Sequence, residues 1–321
     1  MRLPEGTAAP PGRACPAHYR YSPGVFNRPA EIFAETLIVA GGLYGNLAAL
    51  DAIEALLARE RGTTRAVFNG DFHWFDVDPL AFDAVEAGTR RHGRLRGNVE
   101  TEIAGEPEGF GCGCAYPAWV SDEEVERSNR ILDRLRDTAQ ARPDARARLA
   151  RLPAVAVARV GEAKIGIVHG DAESIAGWRF DAASLDDHSE RRWLERVFAD
   201  GGVDVFASSH TCRAVMRAFN LGGRVGVVAN NGAAGMPNFV GERQGLVTRI
   251  GIEPCAAALY RTRAGGAFVE ALPVRYDVDA FARDFLRQWP SGSPAHASYW
   301  RRIESGTSYT IDAAAPGKNS R

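Results

Sequence analysis

The chain has 321 residues, 45% apolar and 25% charged, with a formal net charge of −1. That composition suits a soluble globular protein. Near-neutral charge gives no general attraction to nucleic acid or to a membrane surface, and no apolar run approaches the roughly 20 residues of a membrane span.

In chain order, Met1 to Arg20 is rich in Pro, Ala and Gly, has no apolar core of a signal peptide, and opens an N-terminal arm over 1–35 that is expected to lie on the body. Thr36 to Ala40 reads as a short strand. Asn46 to Glu60 carries Leu47, Leu50, Ile53, Leu56 and Leu57 at helical spacing, which predicts an amphipathic helix packed on a sheet. A second strand, Ala66-Val67-Phe68, ends at Asp71, and Pro79 opens a helix near Leu80 to Arg91 from its favoured first turn. A third, Arg94-Leu95-Arg96, leads to Asn98.

Residues 101–153 break this alternation and read as an insert or lid. The insert opens on a Gly/Cys-rich loop with Cys112-Gly113-Cys114, and Ser121 with Glu124 then gives a capping-box signature for a helix. Apolar stretches resume at Ala154 to Val160 and Lys164 to His169, a helix is predicted over Asp187 to Ala199, and short strands from Val203 to Pro273 are expected to form a second sheet. A C-terminal helix and tail occupy 276–321. There is no internal repeat. An odd count of five cysteines argues for reduced thiols and a cytoplasmic location rather than a disulfide framework.

Four polar residues follow strand-like runs: Asp71, Asn98, His169 and His210, with glycine directly before the first two. Side chains at several strand ends can converge on one rim of a sheet, where ligands and metals bind. An Asp, an amide oxygen and two imidazoles form a mixed O/N set that suits Mn, Fe, Zn or Ni better than Ca or Mg.

The order of these motifs resembles the calcineurin-like metallophosphoesterase superfamily over roughly Thr36 to Pro273. That family's pattern runs Asp-x-His, Gly-Asp, Gly-Asn-His-Asp/Glu, His, then Gly-His-x-His. The resemblance implies an α/β fold, a four-layer αββα sandwich of two mixed β-sheets flanked by helices, with the main domain over 36–275. It also implies that Asp71, Asn98, His169 and His210 hold the second metal of a two-metal site. The first site is depleted: Gly42 stands where the family has Asp, Tyr44 where it has His, and Cys212 where it has the last His. Val99 replaces the His that family members often use as a general acid. Gly-Gly-Leu-Tyr-Gly-Asn at the first motif, Gly-Asn-Val-Glu at the third and the Cys-Gly-Cys downstream resemble an uncharacterised bacterial branch of the superfamily.

One divalent transition metal is therefore expected, or two if the first site is rebuilt. Candidates for rebuilding are Cys212, Cys112, Cys114, His73 and Asp76. Cys212 lies two residues beyond His210, which on an extended backbone puts both side chains on one face, and His73 stands in the same relation to Asp71. Gly41 to Gly45 could cradle a substrate phosphate with backbone N–H groups, and Tyr44 could donate to a leaving oxygen. Glu100 and Asp171 adjoin ligand positions and suit carboxylates that orient imidazoles. Asn231 falls where the family shapes the site floor. Phe72, Trp74, Phe75 and Trp178 read as core or pocket wall.

The resemblance implies a phosphoesterase acting on a small phosphorylated substrate, a phosphomonoester or phosphodiester, through a metal-activated water. The other reading is a relative that has lost hydrolysis and serves as a metal- or nucleotide-binding sensor or partner protein. A third is a thiol-assisted metal enzyme using Cys112, Cys114 or Cys212. No organic cofactor site is read.

Overall fold

The structure is a computed structural model that describes residues 9–317. Residues 1–8 and 318–321, the outer ends of the expected arm and tail, lie outside the described residues. The strands are β1 (Ile32–Ala34), β2 (Thr36–Val39), β3 (Thr64–Asn69), β4 (Gly93–Leu95), β5 (Val155–Val160), β6 (Ala163–Val168), β7 (Val205–Ser208), β8 (Val215–Asn220), β9 (Val225–Asn230), β10 (Gly245–Gly251), β11 (Tyr260–Ala264) and β12 (Ala267–Val274). Among the described residues they form two six-stranded sheets, ordered β11-β12-β10-β2-β3-β4 and β1-β5-β6-β7-β9-β8.

Both sheets are mixed, and each contains a parallel block: β2, β3 and β4 in one, β6, β7 and β9 in the other. The inner faces meet in a core of Val, Leu, Ile and Ala, including Leu37, Val39, Val67, Ile165, Ile167, Val205, Val227, Ile250 and Val269. Helices cover the outer faces. Leu50 and Ile53 of Leu47–Leu57, Phe82 and Val85 of Pro79–Thr89, and Phe285 of Val278–Gln288 bury against one sheet. Trp193, Val197 and Phe198 of Arg191–Gly201 bury against the other. The result is the αββα sandwich expected from the sequence.

Several elements differ from the expectation. Asn98 does not end a strand into a loop; it is the first residue of a helix, Asn98–Ala104. The expected arm supplies the edge strand β1, which pairs parallel with β5. The strands from 203 to 273 do not share one sheet: β7 to β9 extend the second, while β10 crosses back to pair antiparallel with β2 and carries β12 and β11 with it. Fully buried strands read as continuous apolar runs, so their sequences carry no mark of which sheet they join. The C-terminal segment holds three helices, Val278–Gln288, Pro294–Ser305 and Ile311–Ala314, rather than one. Within the insert, the helix Asp122–Gln140, capped by Ser121, packs on Asn98–Ala104 and on Pro294–Ser305. In the stretch before it, 105–121, the carbonyls of Cys112 and Cys114 reach the rim.

Candidate metal centre

The carboxyl ends of both parallel blocks open on one rim, the place where α/β sheets bind ligands. Asp71 follows β3, Asn98 follows β4, His169 follows β6 and His210 follows β7. All four are buried. The sheets are tied together there by the Asn69 amide, which donates to the Val168 carbonyl at 2.7 Å.

His169 Nε2 lies at the middle of the group. It is 3.3 Å from Asp71 Oδ1, 3.1 Å from Asn98 Oδ1 and 3.1 Å from His210 Nδ1. Atoms that each stand about 2.0–2.2 Å from a common ion are separated by about 3–3.5 Å, so the spacing fits one transition metal. Asp71, His169 and His210 each offer a ligand atom within 4.8 Å of the others.

The hydrogen-bond partners behind each group set the aim of each donor. His169 Nδ1 faces the Asn69 carbonyl at 3.0 Å, and His210 Nε2 faces the Cys114 carbonyl at 3.0 Å. A carbonyl only accepts, so each of those nitrogens satisfies it by carrying hydrogen, and in the neutral form of the rings the other nitrogens turn bare lone pairs toward each other. Two lone pairs 3.1 Å apart require a proton or a cation between them. The Asn98 amide is set in the same way: Nδ2 donates to the Cys112 carbonyl at 2.9 Å, which leaves Oδ1 for the centre. Burial, reinforced by His169, pushes His210 down to about 3, so it stays neutral and available as a ligand. Burial pulls His169 down as well, but Asp71 and Glu100 outweigh it and raise the ring.

The loop carrying Asp71 is clamped along both edges. Glu100 accepts from the backbone N–H of Asp71 (2.8 Å), Phe72 (3.0 Å), His73 (3.3 Å) and Gly97 (2.9 Å). On the other edge, the N–H groups of Gly42, Tyr44 and Gly45 donate to the carbonyls of Gly70, Asp71 and Phe72. Glu100 therefore orients backbone, not an imidazole as expected. Gly41 to Gly45 is also no phosphate cradle at these three positions, because their N–H groups are already used. A side chain at Gly97 would overlap Asp71 Oδ1 and crowd His169 Nε2, which explains the glycine before Asn98.

The rest of the rim is filled differently. A Cβ at Gly42 would lie 2.8–3.0 Å from the Tyr44 ring, so that ring occupies the space an aspartate there would need. Tyr44 Oη and Cys212 Sγ are 2.7 Å apart. Burial raises both above their ordinary values, with the neighbouring Asp71 adding to the effect, so both remain protonated near neutral pH. Cys212 has φ 55 and closes a turn onto the Ser209 carbonyl, so the extended backbone that would align it with His210 is absent. It pairs with Tyr44 and stands outside the Asp71, His169, His210 group.

The other candidates separate clearly. The Cys-Gly-Cys loop does reach the site, but through its carbonyls; the Cys114 thiol lies 3.4 Å from the Asn98 amide and stays protonated because burial raises it. His73 and Asp76 face away. His73 is fully buried, stacked on Phe82 at 4.1 Å, bonded to Asp76 at 2.5 Å and 3.6 Å from Glu86. Burial disfavours its charge, yet Asp76 and Glu86 raise it to about 9, so it is a structural imidazolium. Asp171 accepts from the N–H groups of Glu173, Ser174 and Arg179 and touches neither imidazole, which corrects its expected role. Asn231 ties the Gly41 carbonyl to the Leu246 carbonyl beneath the first-motif loop.

A cavity of about 620 Å³ opens beside the cluster, lined by Tyr44, Asp71, Asn98, Val99, Cys114, His210 and Cys212 among others. Sequence reasoning missed Tyr116, Trp119, Arg213 and Arg302, which also line it. Among the described residues, four non-glycine positions have positive φ: Tyr44, Asp71, Ala115 and Cys212. Three line this cavity and Ala115 sits between Cys114 and Tyr116, which do. Such backbone strain concentrates where a surrounding structure holds a site in shape.

The sequence matches no family model and no curated protein. Solved structures match its fold. A hypothetical protein of Pyrococcus horikoshii superposes with a TM-score of 0.57 at 15% identity, covering 85% of this chain and 99% of the other. A metallophosphoesterase of Sphaerobacter thermophilus superposes with a TM-score of 0.52 at 14% identity, covering 85% of this chain and all of the other. The fold is that of the calcineurin-like metallophosphoesterases. On this fold, the buried Asp71, His169 and His210 have a donor set and a spacing that could hold a metal ion. Among the described residues no helix is long and apolar enough to cross a membrane.

Proposed function

We propose that this chain is a phosphoester hydrolase that works with one transition metal ion, acting on a phosphomonoester or phosphodiester. The observation that carries the reading is the pair of imidazole lone pairs 3.1 Å apart, each fixed by a carbonyl behind it, with Asp71 and Asn98 completing the set. The shared fold with the Sphaerobacter metallophosphoesterase supports it.

Asp71, Asn98, His169 and His210 would hold the ion, with Mn, Fe, Zn or Ni favoured by the donor set. A divalent ion there would supply Lewis acidity toward a phosphoryl oxygen. The protein's own part is positioning. Glu100 and the Gly42 to Gly45 backbone fix the carboxylate of Asp71. Arg302, anchored on the Pro237 and Cys212 carbonyls at 2.6 and 3.1 Å, offers cationic charge at the cavity wall. The Tyr44 hydroxyl, which lines the cavity beside Cys212, would serve as a hydrogen-bond donor in place of the acid missing at Val99.

A second reading, a metal- or nucleotide-binding relative without turnover, is favoured by one feature: the Tyr44 ring fills the place of the first metal's aspartate. Release of p-nitrophenol from p-nitrophenyl phosphate and from bis(p-nitrophenyl) phosphate by metal-loaded protein decides between them. Turnover that disappears in Asp71→Asn supports hydrolysis. Tight metal binding with no turnover of either ester leaves the second reading. A cytoplasmic location and a small soluble substrate complete the proposal.

A further inference from the structure

The cavity holds far more than a phosphoryl group needs, and its roughly 620 Å³ lies within the usual range of small-molecule sites. One wall is aromatic and begins at a metal ligand. Trp178 meets the His210 ring at 5.2 Å and 74°. Beyond it, Tyr116 lies 5.8 Å from Trp178, and Trp119 meets Trp178 edge to face at 5.6 Å and 87°. Trp178 is fixed in place, because its indole N–H donates to the Cys114 carbonyl at 2.9 Å, the loop that also orients His210. Trp119 is 69% exposed, at the outer end of the same wall.

Charge alone does not choose the ligand. Arg213 and Arg302 line the cavity, but so do Glu124 and Asp181. Arg213 lies 5.3 Å over the Tyr309 ring and has no hydrogen-bond or ion-pair partner among the described residues. The arginines can receive an anion near the metal end. What distinguishes the remaining space is flat aromatic surface, rigid near the metal and open at the mouth.

We infer that the ligand of this site is a phosphoester carrying a flat aromatic ring system, with Trp178 and Trp119 packing against that ring while the phosphoryl group sits at the metal cluster. The inference rests on the phosphoester reading above. An indole face accepts any planar ring, because every such ring has a π-face to stack on. Two sources share this chemistry: an aryl group attached directly to the phosphate, or a nucleobase attached through its sugar. The binding arms below tell them apart.

The test uses three phosphonates, none with an ester bond to hydrolyse: methylphosphonate, phenylphosphonate and a purine nucleoside 5′-phosphonate. Each is titrated into the zinc-loaded full chain, read by calorimetry and by tryptophan fluorescence. At least one ring-bearing ligand should bind ten-fold or more tighter than methylphosphonate and change the fluorescence. Phenylphosphonate as the tighter of the two identifies an aryl source, and the nucleoside phosphonate identifies a nucleobase. In Trp119→Ala that ligand should weaken at least five-fold, about 1 kcal/mol, with methylphosphonate unchanged and Trp119→Phe restoring most of the loss. Trp119 is exposed, so the variant should keep the parent's thermal midpoint. Equal binding of all three ligands, no binding of any, or an unaltered ring preference in Trp119→Ala overturns the inference. The two proposals fail separately. Turnover of phosphate esters with no ring preference sinks this one alone, and ring-selective binding with no turnover of any ester sinks hydrolysis alone.

Discussion

The two halves of the rim differ in what stands behind each polar group. In one half, a carbonyl backs His169, His210 and the Asn98 amide, and each aims a lone pair toward one point. In the other half, a phenol and a thiol turn toward each other at 2.7 Å, both protonated, with the Tyr44 ring over Gly42. Both halves are built from similar strand-end loops. The comparison teaches that a metal site is specified by the acceptors behind its ligands as much as by the ligands, and that the other half of the rim is a filled volume rather than an empty one.

The largest expected effect breaks the retained half. His210→Ala should weaken metal binding more than about 100-fold, beyond the 10–100-fold typical of losing an outer contact, while the fold survives. Elemental analysis beside a thermal melt checks both. Retained metal at full occupancy would mean that the ion sits elsewhere.

Next comes the attempt to reopen the other half. Gly42→Asp alone should lower stability by about 1–3 kcal/mol, because the new side chain meets the Tyr44 ring in a packed site and Gly42 sits at φ +65. Gly42→Asp combined with Tyr44→His and Cys212→His should recover the part of that loss due to the ring, though not the strain at φ +65, and take a second ion per chain. If the triple variant still binds one, the closure lies in the backbone and not in these side chains.

A smaller effect tests how the retained half is held. Glu100→Gln leaves fewer acceptors for four backbone N–H groups, at a cost of about 1–3 kcal/mol, and should loosen the metal without removing a ligand. Unchanged metal affinity would separate the loop's rigidity from the site's.

The effect most remote from the metal cluster lies in the ion-pair network of Glu86, His73 and Arg94. Burial alone would raise the Glu86 carboxyl, but His73 and Arg94 bring it down to about 2 from an ordinary 4.5. Its folded value is depressed, so its stabilisation is complete above about pH 4.5 and is lost as pH falls through 2. Thermal midpoints of the parent and Glu86→Gln should converge over that interval; parallel curves would show that Glu86 carries no such linkage.

Much of this was legible in the sequence where side chains carry the signal. Asp71 and Asn98 stood out because glycine precedes each, and the structure shows why: a Cβ at Gly97 would strike the cluster. The helix Leu47–Leu57 and the buried strands followed from apolar spacing. What stayed hidden depends on backbone. The carbonyls of Cys112 and Cys114 orient Asn98 and His210, yet a carbonyl is common to every residue and leaves no mark in the sequence, so the thiols drew the attention instead. Glu100 was read as an imidazole partner because it adjoins Asn98, whereas the start of a helix at Asn98 turns it back onto the Asp71 loop. Tyr116 and Trp119 gave no periodic signal, since they lie on an irregular loop that tertiary packing alone brings to the cavity.

The most direct test of the central claim is X-ray absorption at the metal edge of the zinc-loaded chain, with stoichiometry measured on the same sample. The account predicts one ion per chain, bound by two imidazoles and oxygen donors, with no sulfur in the first coordination sphere. Two ions per chain, or a sulfur ligand near 2.3 Å, would contradict it and return Cys212 or Cys114 to the metal.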